Sequence, residues 1–168
     1  MDKNLILLGM MGVGKTTLGK IVAKKQNLRF IDIDESIEKK NLMTIPEIFQ
    51  KKGEPFFRAE EEKEVLKSLE KKNCIIALGG GAFMNKTIRE NILKNTISIW
   101  LDIKTEKLNK RVKWGKKRPL LKNENIKRKL KKLYSERKKI YKLANYKIAC
   151  DKLSKNKIAE KIIELYAK

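Results

Sequence analysis

A continuous apolar run, Leu5–Leu8, stops at Gly9-Met-Met-Gly-Val-Gly14-Lys15-Thr16, and a stretch with apolar residues at Leu18, Ile21, Val22 and Ala23 follows. This order constrains the chain more than any other feature. The segment fits G-x-x-x-x-G-K-[ST], a pattern with a direct physical reason. A loop that wraps its backbone N–H groups around phosphate oxygens needs glycine where a Cβ would clash or φ must be positive. The helix behind it points the positive end of its dipole at the anion. Lys15 then reaches the β- and γ-phosphates, and the Thr16 hydroxyl is set for Mg2+. Residues Gly12, Val13, Gly14, Lys15, Thr16 and Thr17 are therefore expected to hold a nucleoside triphosphate, ATP or GTP, together with Mg2+.

The same alternation of short apolar runs and longer helix-like stretches continues down the chain. Further runs lie at Phe30–Ile33, Cys74–Leu78, Ile97–Leu101 and Tyr146–Cys150, and a helical tail spans Ile158–Tyr166. Apolar runs without polar alternation suit strands covered on both faces, as in parallel sheets. Five such strands interleaved with helices predict an α/β, doubly wound architecture. Thr44-Ile-Pro-Glu47 reads as a capping box, and Asn85 precedes a second amphipathic segment. The chain has 168 residues and no Pro/Gly/Ser linker, so one domain over 1–168 is expected.

Composition removes several chemistries. There is no histidine, so no imidazole base and no His-ligated metal. Cys74 and Cys150 stand in apolar runs and are expected to be buried, reduced thiols. The apolar run near the N-terminus is too short to span a membrane, and no small-residue cleavage site follows it; a cytoplasmic protein is expected. The formal charge is +22, which raises a nucleic-acid-binding module as a rival reading. Its distribution argues otherwise. Residues 104–142 carry 18 basic and 3 acidic side chains, and the chain has 35 Lys against 7 Arg. Lysine is a solvated point charge, whereas arginine offers the rigid fork that reads phosphate and carboxylate. The basic span also lacks the interleaved aromatic residues of a single-strand binder. No specific nucleic-acid or membrane partner is expected, and nothing in the sequence calls for more than a monomer.

A phosphate loop alone does not separate a switch from a kinase. A Ras-like switch needs N-K-x-D to read guanine, and the nearest segment, Asn109-Lys-Arg-Val112, lacks the aspartate. The second apolar run ends Ile31-Asp32-Ile33-Asp34. Strand alternation puts both carboxylates on one face, projecting at its carboxyl end. One could hold the Mg2+ shell and the other could accept an acceptor hydroxyl and its proton, although a helix cap would suit either position. Arg58 stands three or four residues before Glu61 and Glu62, close enough on a helix for a carboxylate to fix its guanidinium. Phe49, Phe56 and Phe57 nearby suit pocket walls as well as core. The third run ends in Gly79-Gly-Gly81 where many phosphate-loop enzymes have an aspartate, so Asp32 becomes the metal carboxylate by position. Three glycines also let a ligand approach the backbone.

Taken in order, GMMGVGKTT at 9–17, D-I-D at 32–34, FFR-A-E-E at 56–61, GGG at 79–81, R-P-L-L at 118–121, and Arg137 four residues before Tyr141 resemble shikimate kinase over essentially the full chain. The resemblance implies a three-layer phosphate-loop kinase fold, with a five-stranded parallel sheet flanked by helices and a mobile lid at about Lys113–Asn123. It implies transfer of the γ-phosphoryl of ATP to the 3-hydroxyl of shikimate, on the way to chorismate and aromatic amino acids. Asp34 would bind the shikimate hydroxyls and be the candidate base. Arg58 and Arg137 would clamp the carboxylate, assisted by the Gly80 N–H. Thr16 and Asp32 would hold Mg2+, Arg118 would close from the lid onto the phosphates, and Arg111 would lie against adenine. Lys15, Asp34 and Arg118 are thus the expected catalytic residues. A related gluconate or nucleotide kinase is the remaining alternative, and carboxylate-binding arginines in the acceptor region disfavour it.

Overall fold

The computed structural model describes residues 3–112 and 126–168. Strand β1 (Leu5–Leu8) leads through the phosphate loop into α1 (Lys15–Gln26), and β2 (Arg29–Asp32) into α2 (Ile33–Asn41). Helices α3 (Ile45–Lys51) and α4 (Gly53–Leu69) precede β3 (Cys74–Ala77). A 3-10 turn (Ala82–Met84) and α5 (Lys86–Asn95) lead to β4 (Ile97–Asp102), then α6 (Thr105–Val112) and α7 (Ile126–Tyr141). The chain ends with β5 (Tyr146–Ala149) and α8 (Lys155–Tyr166). The five strands form one parallel sheet in the order β2-β3-β1-β4-β5.

Every residue of β1 and β3 is buried, as unbroken apolar runs require when helices cover both faces. The edge strands β2 and β5 are only partly buried. Both cysteines are free and buried. The capping box at Thr44–Glu47 forms as the sequence predicts, and Asn85 Oδ1 accepts the Ile88 N–H of α5 at 3.1 Å. No helix among the described residues is long and apolar enough to cross a membrane.

One expectation is corrected. The second run does not continue as a strand to Asp34. Strand β2 ends at Asp32, which serves as the N-cap of α2 with its side chain accepting from the Asp34 and Glu35 N–H groups. Asp34 therefore lies in the first turn of a helix, and strand alternation is not what aligns it with Asp32. A carboxylate two or three residues before free helical N–H groups satisfies them locally, and that capping ends the strand early.

The order of strands fixes where chemistry can occur. β1 connects forward to α1 while its neighbours β3 and β4 arrive later in the chain, so the sheet reverses its order of construction beside β1. Ligand clefts in open α/β sheets form at the carboxyl ends of strands at such a reversal. Three adjacent strands deliver their C-terminal segments there: β2 ends at Asp32, β3 leads into Gly79–Gly81, and β1 leads into the phosphate loop.

Candidate active site

A cleft of about 310 Å3 opens at these strand ends, and residues of the phosphate loop, Asp32, Asp34, Arg58, Glu61, the three glycines and Arg137 line it. The loop is shaped by its glycines. Gly9 has φ +142° and a Cβ there would stand 2.4 Å from the Leu101 carbonyl oxygen, so the chain can leave β1 along β4 only without a side chain. Gly14, at φ +106°, starts α1, which has neither a side-chain cap nor an acidic residue in its first turn. The first N–H groups of α1 thus face the cleft with the dipole behind them, ready for an anion. Lys15 Nζ donates to the Gly9 and Met10 carbonyls at 2.9 and 3.1 Å, which holds the ammonium over the loop.

Asp32 divides its two oxygens. Oδ1 caps α2, and Oδ2 accepts from Thr16 Oγ1 at 2.6 Å. The Thr16–Asp32 pair is a set of hard oxygen donors facing the loop, which fits Mg2+, an ion that takes few protein ligands and completes its shell with phosphate and water. Among the described residues no group of three or more acidic, Cys or His side chains would hold a metal by itself.

The acceptor side of the cleft is built from buried charge. Glu61 is 2% exposed, and its Oε2 accepts from Arg58 Nη1 at 2.7 Å. Glu54 accepts from Arg58 on the other side, so the guanidinium is fixed by carboxylates three and four residues away on α4. Asp34 Oδ1 and Glu61 Oε1 are buried without a hydrogen-bond partner. A Cβ on Gly79 would lie 2.8 Å from the first and 2.5 Å from the second, so both oxygens converge on the same glycine. Burial pushes the Asp34 carboxyl up to about 7; the charges of Glu61 and Asp32 add to the rise, and Lys15 opposes it. Burial also raises Glu61, against the pull of Arg58 and Arg137. On α7, Arg137 is buried and donates from Nη1 to the Gly80 carbonyl at 3.0 Å. A cleft with two guanidiniums at one end, orphaned carboxylate oxygens beside them and a phosphate loop at the other end suits a small hydroxylated carboxylic acid and a nucleotide.

Comparison with known proteins agrees with that chemistry. A family model described as shikimate kinase matches residues 11–167. The chain belongs to the shikimate kinase family. The shikimate kinase of Bacillus licheniformis is 43% identical over 166 residues, which cover 98% of this chain and 93% of that protein. The one from Bacillus subtilis is 44% identical over 97% of this chain and 88% of that protein. A solved structure of the shikimate kinase from Acinetobacter baumannii, in complex with shikimate, superposes with a TM-score of 0.93 at 36% identity, covering 97% of this chain and 92% of that one. A gluconokinase from Sinorhizobium meliloti has a TM-score of 0.61 at 14% identity, a likeness of fold alone. As a shikimate kinase family member the chain is an ATP-dependent kinase with the phosphate-loop kinase architecture.

The cleft of this chain brings together most of the residues singled out in the sequence. Gly12, Gly14, Lys15, Thr16, Thr17, Asp32, Asp34, Arg58, Gly80 and Arg137 all line it. Val13 does not; it is buried behind the loop and faces Gly9. Arg111, near the end of α6, donates to the Val13 and Gly12 carbonyls at 3.2 and 3.4 Å and so rests on the back of the loop. Arg118 and the expected lid, Lys113–Asn123, lie outside the described residues. Phe49 and Phe57 wall the cleft, but Phe56 turns away and stacks under Lys52. Helical spacing explains the split, because Phe56 and Phe57 project about 100° apart on α4. Glu61 is the residue whose place the sequence understated. Its spacing from Arg58 marks an ion pair, yet nothing local reveals that its other oxygen faces Asp34 across Gly79.

Proposed function

We propose that the chain transfers the γ-phosphoryl group of ATP to the 3-hydroxyl of shikimate as a single-domain, monomeric, cytoplasmic enzyme with Mg2+. The observation that carries this reading is the pairing of Arg58 and Arg137 against the glycine turn, opposite a phosphate loop and beside a carboxyl, Asp34, set to titrate near neutrality. The two guanidiniums bind the shikimate carboxylate and orient the ring, with the Gly80 N–H assisting. Orientation of this kind removes much of the entropic barrier to reaction. Asp34 accepts the acceptor hydroxyl and takes its proton as the oxygen attacks phosphorus. Gly12 to Thr17 hold the triphosphate, and Lys15 balances charge on the transferring group. Thr16 and Asp32 would hold Mg2+, which would supply positive charge to offset that of the phosphates. Arg111 is assigned to the adenine side and Arg118 to the transferring phosphoryl, both from the resemblance.

The experiment is ATP consumption by the purified chain with shikimate, gluconate and AMP offered separately. Turnover with shikimate alone is expected, and turnover with either of the others alone overturns the reading. Arg58→Ala is expected to raise the KM for shikimate at least about tenfold, since a charge-assisted contact is lost, while the KM for ATP stays near that of the parent. Equal losses for both substrates would make Arg58 a folding residue of α4.

A further inference from the structure

Helix α7 carries three polar side chains on one inner face, Tyr134, Arg137 and Tyr141, at spacings of three and four residues. Each reaches the carboxyl end of the sheet. Tyr134 donates its hydroxyl to Asp102 Oδ1, at the end of β4, at 3.0 Å. Arg137 donates to the Gly80 carbonyl, and the Tyr141 hydroxyl donates to the same oxygen at 2.5 Å. A carbonyl oxygen has two lone pairs, and α7 fills both at Gly80. Tyr141 is 1% exposed, packs its ring on Trp100 at 5.8 Å between centroids, and is not among the residues lining the cleft. Its hydroxyl stays protonated at any working pH, because burial pushes it up to about 12.

The glycine turn needs such an anchor. Gly79, Gly80 and Gly81 have no side chains with which to lock their own backbone, and glycine has the widest conformational freedom to lose. Yet the turn is the seat of both guanidiniums. A Cβ on Gly81 would stand 2.8 Å from Arg58 Nη1, and one on Gly80 would stand 3.2 Å from Arg137 Nη1. The separation and tilt of the two forks therefore follow from the position of the Gly80–Gly81 backbone.

We infer that Tyr141 is a positioning residue for carboxylate recognition: its hydroxyl pins the Gly80 carbonyl, and through it sets Arg137 against Arg58. The inference rests on the functional reading above. Removing the hydroxyl leaves Arg137 to hold the carbonyl alone while it also binds the substrate.

The test is direct binding of shikimate and of ADP to the full chain, with steady-state kinetics, for Tyr141→Phe and for Tyr134→Phe. Tyr141→Phe keeps the ring on Trp100, and circular dichroism reports its fold. Its affinity for shikimate is expected to fall about tenfold, the effect of one lost hydrogen bond of ordinary strength. ADP binding and kcat at saturating shikimate are expected within about twofold of the parent. Tyr134→Phe, which loosens the same helix away from Gly80, is expected to leave shikimate affinity unchanged. A cyclohexene triol without the carboxylate is expected to bind the parent and Tyr141→Phe alike. Unchanged shikimate binding by Tyr141→Phe, an equal loss in Tyr134→Phe, an equal loss for the triol, or outright unfolding of Tyr141→Phe would each overturn the assignment. A parent chain that binds no shikimate would instead overturn the functional reading.

Discussion

Lys15→Ala is expected to lower kcat by about 10²- to 10³-fold, the effect of removing one preorganised donor from developing charge. Lys15 Nζ is held over the loop by the Gly9 and Met10 carbonyls, so the ammonium is in place before any nucleotide arrives. Its charge also opposes the rise in the Asp34 titration, so it reaches electrostatically from the phosphate loop to the acceptor side of the cleft. The variant should keep its fold, since the loop geometry rests on glycine backbone rather than on the lysine stem. Single-turnover rates with saturating ATP and shikimate measure the effect. Largely intact turnover would mean that the loop does not hold the transferring phosphate.

Asp34→Asn is expected to reduce kcat by about 10²- to 10³-fold with a small change in the KM for shikimate, because the amide keeps the shape and loses the base. A raised KM with kcat preserved would make Asp34 a binding group only. The same substitution carries a second signature. In the folded chain the Asp34 carboxyl titrates near 7, against its ordinary 3.8. Stability that the neutral buried carboxyl provides below pH 3.8 is therefore lost as pH rises through about 7. Asparagine does not ionise, so the variant is expected to melt at least a few degrees above the parent at pH 8, with the gap closing toward pH 4. Thermal melts across that range read it. A lower Tm for the variant at pH 8 would show that the Asp34 charge is compensated in the native chain. Loss of rate together with gain of stability is what a buried catalytic carboxyl should show, since the desolvation that prepares it for proton transfer also strains the fold.

The acceptor end of the cleft shows how charge is used sparingly despite a net +22. The side chains that meet there are two arginines, Asp34 and Glu61, and Glu61 is spent on fixing Arg58. A buried carboxylate paired with a half-buried guanidinium leaves the fork oriented, and the second arginine is held by backbone rather than by another acid. The arginines therefore face the cleft preset, with their rotamers already restricted. Most lysines of α7 lie on its solvent side, where their charge is screened and adds little to the site.

How far the sequence alone reached follows from the range of the forces involved. The phosphate loop, the capping box at Thr44 and the cap at Asn85 are local: each depends on hydrogen bonds within a few residues, so residue type and spacing determine them. The five parallel strands were legible because burial on both faces leaves no room for polar alternation in β1 and β3. The pairing of Arg58 with Glu61 was equally legible, being a matter of one helical turn. Asp32 and Asp34 were legible as a pair of carboxylates but not in their geometry, since cap hydrogen bonds outweighed strand pairing at a sheet edge and turned Ile33 onward into helix. Only the tertiary structure brought the Glu61 oxygen to face Asp34 across Gly79, placed Tyr141 and Arg137 on one carbonyl 57 residues or more away in the chain, and laid Arg111 on the back of the loop. Those contacts depend on how helices pack across strand ends, where sequence separation carries no information about distance. The chemistry of the cleft was written in residue types; its electrostatics, above all the near-neutral titration of Asp34, came from burial that no short stretch of sequence contains.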